Sequence, residues 1–483
     1  MPSSLPKTTL PLYRNAIDWT WFDAEFPAPD VYAETIFKWS PERIRELQNA
    51  RFLDTMKAGW NNGFYSSRWK EAGLEPGDIA SIDDIHKLPM FNSDDIKVSH
   101  RASPPFGDIT GIDHRDELTR NPLKMQTSGG TTGKARPTVF GALEWELNGL
   151  QAARSLYIQG ARPGQVMQIP STCSLANLAW VHYHGCHYYL GVMPLTTGSG
   201  VVTPSLKQIE MAFDYDVDII MSFPEYLTQL AHVARNEFGR DLRDLNLSFV
   251  PTYLGPDTEG SLRKDLEDMF GCNVYDNYGT NEISHASFEG PDKDGLYLME
   301  DLIYLEVTDT ETGQPVAPGE TGNLVATSLF RRIPPIIRFN LRDLGRIKHN
   351  GTKSALGSSF RRMDHFLGRS DEMVKIRGNN IYPMACLNAV RSDSRTTGEW
   401  ICIADRTVVD GVIRDDLIVR IEVLKSASSR EGLQEQLESR LRADLGLKVI
   451  VELVGEGDLA EIANIGREGK PKRLLDRRYA AKG

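Results

Sequence analysis

The chain has 483 residues, too many for one hydrophobic core and enough for roughly two to four domains of ordinary size. Lys and Arg number 55 against 66 Asp and Glu, a formal net charge of -11, which argues against a constitutive nucleic-acid or anionic-membrane binder but leaves a locally basic nucleotide site open. Cys173, Cys186, Cys272, Cys386 and Cys402 form an odd set without a Cys-x-x-Cys pair, so neither a disulfide framework nor a thiolate zinc site is indicated and a reducing, cytoplasmic setting fits.

MPSSLPKTTLPLYRNAIDW lacks the basic start and apolar run of an export signal, and no stretch approaches the roughly 20 apolar residues of a membrane span. Apolar spacing from Pro41 to Gly63 predicts a helix, with Ser40 as N-cap and Pro41 behind it, packed against the aromatic-rich segment Trp19 to Trp39. IASIDDIHKLPMFNSDDIK reads as short helices broken by Pro89, with acidic residues at their starts.

Thr127-Ser-Gly-Gly-Thr-Thr-Gly-Lys134 carries the strongest chemical signal. Glycines bring backbone N–H groups close to phosphate oxygens, hydroxyls add neutral donors, and one lysine ends the run. It is not a Walker A loop: the first glycine of that pattern would fall on Ser128, and Ala135 stands where the magnesium-binding hydroxyl belongs. Taken alone, a Gly/Thr-rich surface turn explains it as well.

Short apolar runs at Val166–Ile169, Gly191–Met193 and Asp218–Met221 alternate with amphipathic helices at Leu206–Asp214 and Glu225–Phe238, the second stopped by Gly239. Further strands are expected at Leu247–Val250, Asn273–Tyr275, Leu302–Val307 and Gly322–Thr327, so an α/β core is predicted. Period-2 alternation over Ile303–Val307 followed by DTETGQPVAPGETG reads as a hairpin. Beyond Asp371, VVDGVIRDDLIVRIEVLK and VIVELV are strand material and REGLQEQLESRLRADLG an amphipathic helix, which predicts a large domain over 1–368 and a small α/β domain over 369–483.

Three later segments add to the glycine-rich run. Tyr275-Asp-Asn-Tyr-Gly-Thr-Asn-Glu282 follows a strand: an aromatic beside Gly279 can cover a flat base, and Glu282 can hold magnesium, although such residues singly are more often a core ring and a solvated acid. Arg338–Asp343 offers Asp343 to ribose hydroxyls, and Gly368–Asn380 joins paired charges to a Gly-Asn-Asn turn.

With TSGGTTGK, YGTNE, RFNLRD, GRSDEMVKIRGNNIYP and GREGKPKRLLDRR in this order, the chain from about Arg51 to Arg478 resembles the adenylate-forming superfamily, and within it the phenylacetate-CoA ligase family. The resemblance implies a large N-terminal α/β domain with a small mobile C-terminal domain. It also implies a two-step reaction: a carboxylate attacks the α-phosphorus of ATP to give an acyl-adenylate and pyrophosphate, then a thiol displaces AMP. By position, Thr127, Ser128, Gly130, Thr131, Thr132 and Lys134 resemble the phosphate loop, Tyr278 with Gly279 the adenine platform, and Glu282 the ligand of Mg2+. Asp343 and Arg369 resemble ribose or phosphate contacts, Asp371 the hinge, and Lys470 the mobile lysine of adenylation, preferred over Lys472. A fixed ammonium there stabilises charge gathering between carboxylate and α-phosphate. A basic terminal cluster is otherwise ordinarily solvated surface.

The chain also departs from the family. KHNGTKSALGSSFRRMDHFLGR lacks the cysteines that hold a structural zinc in some members, and Tyr253-Leu-Gly-Pro-Asp257 replaces a Gly-Ala-Glu-Pro-Trp segment. His182-Tyr-His184-Gly-Cys186-His187 is a tempting metal substitute, but its spacing does not turn four ligands to one side, so pocket wall or core is preferred. Val139, Phe140, Trp180, His182, Tyr183 and Tyr253 are the acyl-pocket candidates, favouring an aryl or arylalkyl acid. Coenzyme A is the expected acceptor and a homodimer the expected assembly. The alternatives are a carrier-protein phosphopantetheine acting in trans, an amine acceptor, or a non-catalytic binding protein.

Overall fold

The structure, a computed structural model, describes residues 8–112, 118–128, 136–257, 259–370, 374–376, 379–409, 412–427, 429–463 and 472–478. The chain divides into two compact units: Met1–Tyr253 with Leu266–Leu341 and Arg346–Asp364, and Leu254–Asp265 with Arg342–Gly345 and His365–Gly483.

In the first unit, helix α1 (Pro41–Trp60) starts where Ser40 Oγ accepts the Arg43 N–H, and it buries Ile44, Gln48, Arg51, Phe52, Thr55, Met56 and Gly59, a stripe at helical spacing. Strands β1 (Lys124–Ser128) and β2 (Arg136–Phe140) pair antiparallel, with Ser128 opposite Arg136. The glycine-rich residues 129–135 connect these paired strands and lie outside the described residues. Helix α2 (Ala142–Gln159), ended by Gly160 at φ +123°, is buried almost all round. Its buried Arg154 is paired: Nη1 donates to Asp301 Oδ2 at 2.9 Å, with both side chains fully buried.

Strand β3 (Val166–Gln168) precedes helix α3 (Leu178–His184), which runs on into a wider turn over Gly185–Leu190. β4 (Met193–Leu195) and β5 (Ile219–Ile220) flank β3 as parallel neighbours. β4 begins two residues later than the predicted run because Gly191, at φ +64°, ends the preceding turn in a left-handed conformation. The helix expected over Glu225–Phe238 is α-helical over Pro224–Val233 and widens over Ala234–Phe238, and Gly239 at φ +75° stops it.

A six-stranded sheet follows, built from β6 (Val250–Thr252), β7 (Val274–Thr280), β8 (Ser284–Glu289), β9 (Leu296–Leu298) and two later strands. β10 (Ile303–Thr308) and β11 (Gly322–Ser328) form the predicted hairpin in register Ile303 to Ser328. β12 (Phe339–Gly345) comes next, and β13 (Ile347–His349) and β14 (Arg362–Met363) complete the six-stranded order β13-β14-β9-β8-β7-β6. Only β6 and β7 are parallel among its described pairings; β7, β8 and β9 run antiparallel.

In the second unit, β15 (Gly368–Arg369) pairs with β12 through Asp343 opposite Arg369. Long strands β16 (Thr396–Val409) and β17 (Val412–Val423) form a hairpin, flanked by β18 (Ile450–Gly455) beside β17 and β19 (Leu474–Asp476) beside β16, both parallel. Helix α4 (Leu433–Leu445) lays Leu433, Leu437 and Leu441, one face at i, i+4 and i+8, on a core with Trp400, Cys402, Leu417, Val419 and Ile421. Among the described residues no helix is long and apolar enough to cross a membrane.

Candidate active site

The β7–β8 turn is the best-built part of the site. Register shifts between Tyr278 and Gly279, and a Cβ on Gly279 would stand 2.0 Å from the Ser284 carbonyl oxygen, so only glycine lets the two strands close there. Tyr278 is buried at 6% exposure, and Glu282, in the turn itself, at 4%.

Glu282 is thus no solvated surface acid: its Oε1 pairs with Arg136 Nη2, at the first residue of β2. Burial pushes the Glu282 carboxyl up, but the Arg136 guanidinium together with hydrogen bonds from its own turn outweighs this and holds it below the usual carboxylate range. Removing Arg136 from so enclosed a pair costs about 3–5 kcal/mol, because the buried Glu282 carboxylate then loses its guanidinium. Arg331, 1% exposed, ties the same turn to β2, donating from Nη1 to the Glu282 carbonyl and from Nη2 to the Val139 carbonyl, each at 2.9 Å. Burial lowers the Arg331 pKa to about 10, so it stays a cation at neutral pH.

On the loop side, the Thr127 N–H donates to the Leu175 carbonyl at 2.8 Å. Ser128 is the last residue of β1, while Gly130, Thr131, Thr132 and Lys134 lie outside the described residues, as do Asp371 and Lys470. In the second unit, Asp343 and Arg369 meet each other: Arg369 Nη1 donates to Asp343 Oδ1 at 2.9 Å.

The acyl-pocket candidates separate into groups because α3 turns them to different sides. His182 Nδ1 lies 2.9 Å from the Leu178 carbonyl, and its ring packs edge-on against Tyr253 and His285 with centroids 6.4 and 5.8 Å apart. The Tyr253 hydroxyl lies 3.1 Å from His285 Nδ1. Burial pushes the His182 pKa down to about 4 and holds His285 well below its ordinary value, so this aromatic cluster is uncharged at neutral pH. Trp180, two residues earlier, instead joins Trp145 under Lys124, whose Nζ stands 4.3 and 3.8 Å from the two ring centroids. Burial lowers the Lys124 pKa to about 8. Tyr183 stacks on the exposed His187 at 5.7 Å. Phe140 is fully buried between Arg331 and Trp145.

The His/Cys segment disperses in the same way. His184 Nε2 lies 3.0 Å from Glu146 Oε2, and buried Cys186 Sγ lies 3.3 Å from Met167 Sδ. Among the described residues no group of three or more His, Cys, Asp or Glu side chains is arranged to hold a metal ion. Asp257, in the segment that replaces the family's glutamate, is spent on a helix start, its carboxylate accepting the Leu262 and Arg263 N–H groups at 3.1 and 2.9 Å.

Sequence reasoning missed Arg136, Arg331, Lys124 and His285. Arg136 lies two residues beyond Lys134 and His285 three beyond Glu282, so widening each motif by one turn would have reached both.

Comparison with known proteins fits this architecture. Residues 378–478 match the family described as AMP-binding enzyme C-terminal domain. A phenylacetate-coenzyme A ligase of Pseudomonas putida is 31% identical over 456 residues, covering 92% of this chain and 96% of that one, and one of Aromatoleum evansii is 29% identical over 461 residues, covering 92% and 97%. Among solved structures, 2-hydroxyisobutyryl-CoA ligase in the postadenylation state with an acyl-AMP superposes with a TM-score of 0.78 at 25% identity, covering 91% of each chain. The same ligase with 2-HIB-AMP and CoA in the thioesterification state gives 0.65 at 26% identity, covering 92% of this chain and 91% of that one. The fold is that of the adenylate-forming enzymes, and the chain belongs to their phenylacetate-CoA ligase family. Its activity is accordingly that of an AMP-forming ligase joining a carboxylic acid to coenzyme A.

Proposed function

We propose that the enzyme activates an aromatic or arylalkyl carboxylic acid. The carboxylate oxygen attacks the α-phosphorus of ATP and pyrophosphate leaves; the coenzyme A thiolate then attacks the acyl carbon and AMP leaves, carrying the electron pair of the broken acyl–oxygen bond. The observation that carries the nucleotide site is the Arg136–Glu282 pair, which brings the exit of the glycine-rich segment to the Tyr278–Glu282 turn.

In this reading Thr127, Ser128, Gly130, Thr131, Thr132 and Lys134 cradle the phosphates, Tyr278 and Gly279 flank adenine, and Asp343 and Arg369 serve ribose and phosphate. Lys470 supplies the cation of adenylation and Asp371 the hinge between a large domain, 1–368, and a small one, 369–483. Glu282 suits Mg2+: it is an ionised hard oxygen donor, and this metal ordinarily takes one or two protein carboxylates with substrate phosphates for the rest. When bound, the metal neutralises charge developing on the phosphates.

The edge-on rings of His182 and Tyr253 support a flat acyl group over a long flexible one, with Trp180, Tyr183 and Phe140, which pack in separate groups, as further candidates. A cytoplasmic homodimer completes the proposal. A carrier protein or amine as acceptor is not favoured, since the relatives are coenzyme A ligases.

The test is a panel of benzoic, arylacetic, short hydroxylated and fatty acids, each scored for pyrophosphate release and for AMP formation with free coenzyme A. Aryl or arylalkyl acids should give the highest kcat/KM by at least about tenfold, as expected when a flat pocket discriminates by shape and buried area. Preference for a fatty or small hydroxylated acid would overturn the substrate class.

A further inference from the structure

Beside the first half of α1 lies a cleft of about 630 Å3, a size usual for small-molecule sites, and none of its lining residues belongs to the nucleotide or acyl candidates. One side comes from the segment between Ala24 and Trp39; the other is a single face of α1, with Arg43, Leu47 and Arg51 at i, i+4 and i+8. Its apolar wall includes Pro27, Ile36 and Val31, the last left 49% exposed. The floor is fixed from behind. Buried Arg51 donates from Nη1 to the Asp301 carbonyl at 2.5 Å, and Arg154, paired with the Asp301 carboxylate, donates from Nη2 to the Pro27 carbonyl at 2.9 Å.

Charge in the cleft does not balance internally. Glu25 is held by Arg51 Nη2 at 2.7 Å and Glu34 by Lys38 Nζ at 2.6 Å, whereas Arg43 forms no ion pair among the described residues. The Arg43 guanidinium instead lies over the Trp39 ring, 3.7 Å from its centroid. Stacking uses the face of a guanidinium and leaves its in-plane N–H donors for a planar acceptor. The cleft therefore presents one oriented cationic fork above an apolar wall.

We propose that this cleft is a second ligand site and that it takes a small apolar monocarboxylate. Arg43 grips the carboxylate through two parallel N–H bonds, and the apolar body lies along Trp39, Ile36 and Leu47. One unpaired cation balances one negative charge, and Glu25 and Glu34 repel further ones, so nucleotides and coenzyme A are disfavoured. The inference is independent of which acid the enzyme activates.

The test is photolabelling of the full chain, without ATP, by phenylacetic acid carrying a trifluoromethyl-diazirine on its ring, with labelled residues located by peptide mass spectrometry. Label should fall between Ala24 and Arg51, and excess phenylacetate but not phenylacetamide should suppress it. In Arg43→Gln that label should drop at least about tenfold, the loss expected for a charge-assisted pair, while Lys38→Gln, which removes a cation already paired, should keep most of it. Arg43 is exposed, so its variant should melt with wild type. Absence of label from this stretch, suppression by phenylacetamide as strong as by phenylacetate, or equal loss in both variants would overturn the site. Failure of the proposed substrate class reads differently, because it shows only in turnover and leaves this label unchanged.

Discussion

His182 and His285 show what burial does to a titratable pair with no acid beside it. Both are nearly inaccessible, one pushed down to about pKa 4 and the other held well below its ordinary value, burial being the first cause in each. Their folded pKa values lie under the unfolded value of about 6.5, so at mildly acid pH the unfolded chain binds more protons than the folded one. Stability should therefore fall as pH drops below about 6.5, and for His182 the loss continues to about pH 4. The slope is about 1.4 kcal/mol per pH unit for each group in that window. Urea unfolding of wild type and His182→Gln at pH 7, 6 and 5 checks this: the variant should lose stability less steeply, whatever its absolute stability at pH 7. Parallel slopes would show that His182 is protonated in the folded enzyme. None of this was legible locally. The sequence preferred pocket wall or core over metal ligand for this histidine, but its partners, Tyr253 and His285, come only from the packing of α3.

At the scale of elements, close approach is set by glycines whose missing Cβ leaves room for backbone. On Gly279 that atom would stand 2.0 Å from the Ser284 carbonyl oxygen, and on Gly185 2.8 Å from the Gly149 carbonyl oxygen, where the segment after α3 crosses α2. Backbone cannot yield as a flexible side chain can, so Gly279→Ala and Gly185→Ala should each cost about 1–3 kcal/mol. They should differ in function. Gly279→Ala deforms the turn carrying Tyr278 and Glu282 and should raise the KM for ATP, whereas Gly185→Ala should chiefly lower the melting temperature. Gly63→Ala, with nothing within 4 Å of the added methyl, is the control and should stay within about 0.5 kcal/mol of wild type. Melting curves with ATP-pyrophosphate exchange distinguish these outcomes, and equal ATP affinity in Gly279→Ala and wild type would count against the turn as a nucleotide site. Most elements themselves were readable from local pattern. Ser40 and Pro41 announce α1, and the alternation of Ile303–Val307 announces its hairpin. Helix α2 was not noticed, because it is buried almost all round and shows no polar stripe to mark its period.

For the molecule as a whole, the two-step chemistry asks that the adenylation cation act in one half-reaction only. Lys470→Ala should lower pyrophosphate exchange by at least about a hundredfold, the loss expected when charge stabilisation confined to one transition state is removed. Chemically supplied acyl-adenylate should still be converted to thioester at close to the wild-type rate. Equal loss in both half-reactions would refute the assignment, and full adenylation would move the role to Lys472 or leave the terminal cluster as solvated surface.

The sequence alone determined the class of chemistry and most of the parts. Caps, period-2 alternation, turn residues and the ordered segments from Thr127 to Arg478 depend on neighbours a few positions apart, and that information survives without a fold. The tertiary structure decided which parts meet. It set Arg136 on Glu282, 146 positions away, made Asp343 and Arg369 partners, and sent Trp180 to Lys124 while His182 turned to Tyr253. The physical reason is that a charge is worth little in water and a great deal when buried, so the role of an arginine or a glutamate is fixed by its burial and its partner, and both are properties of the packed molecule.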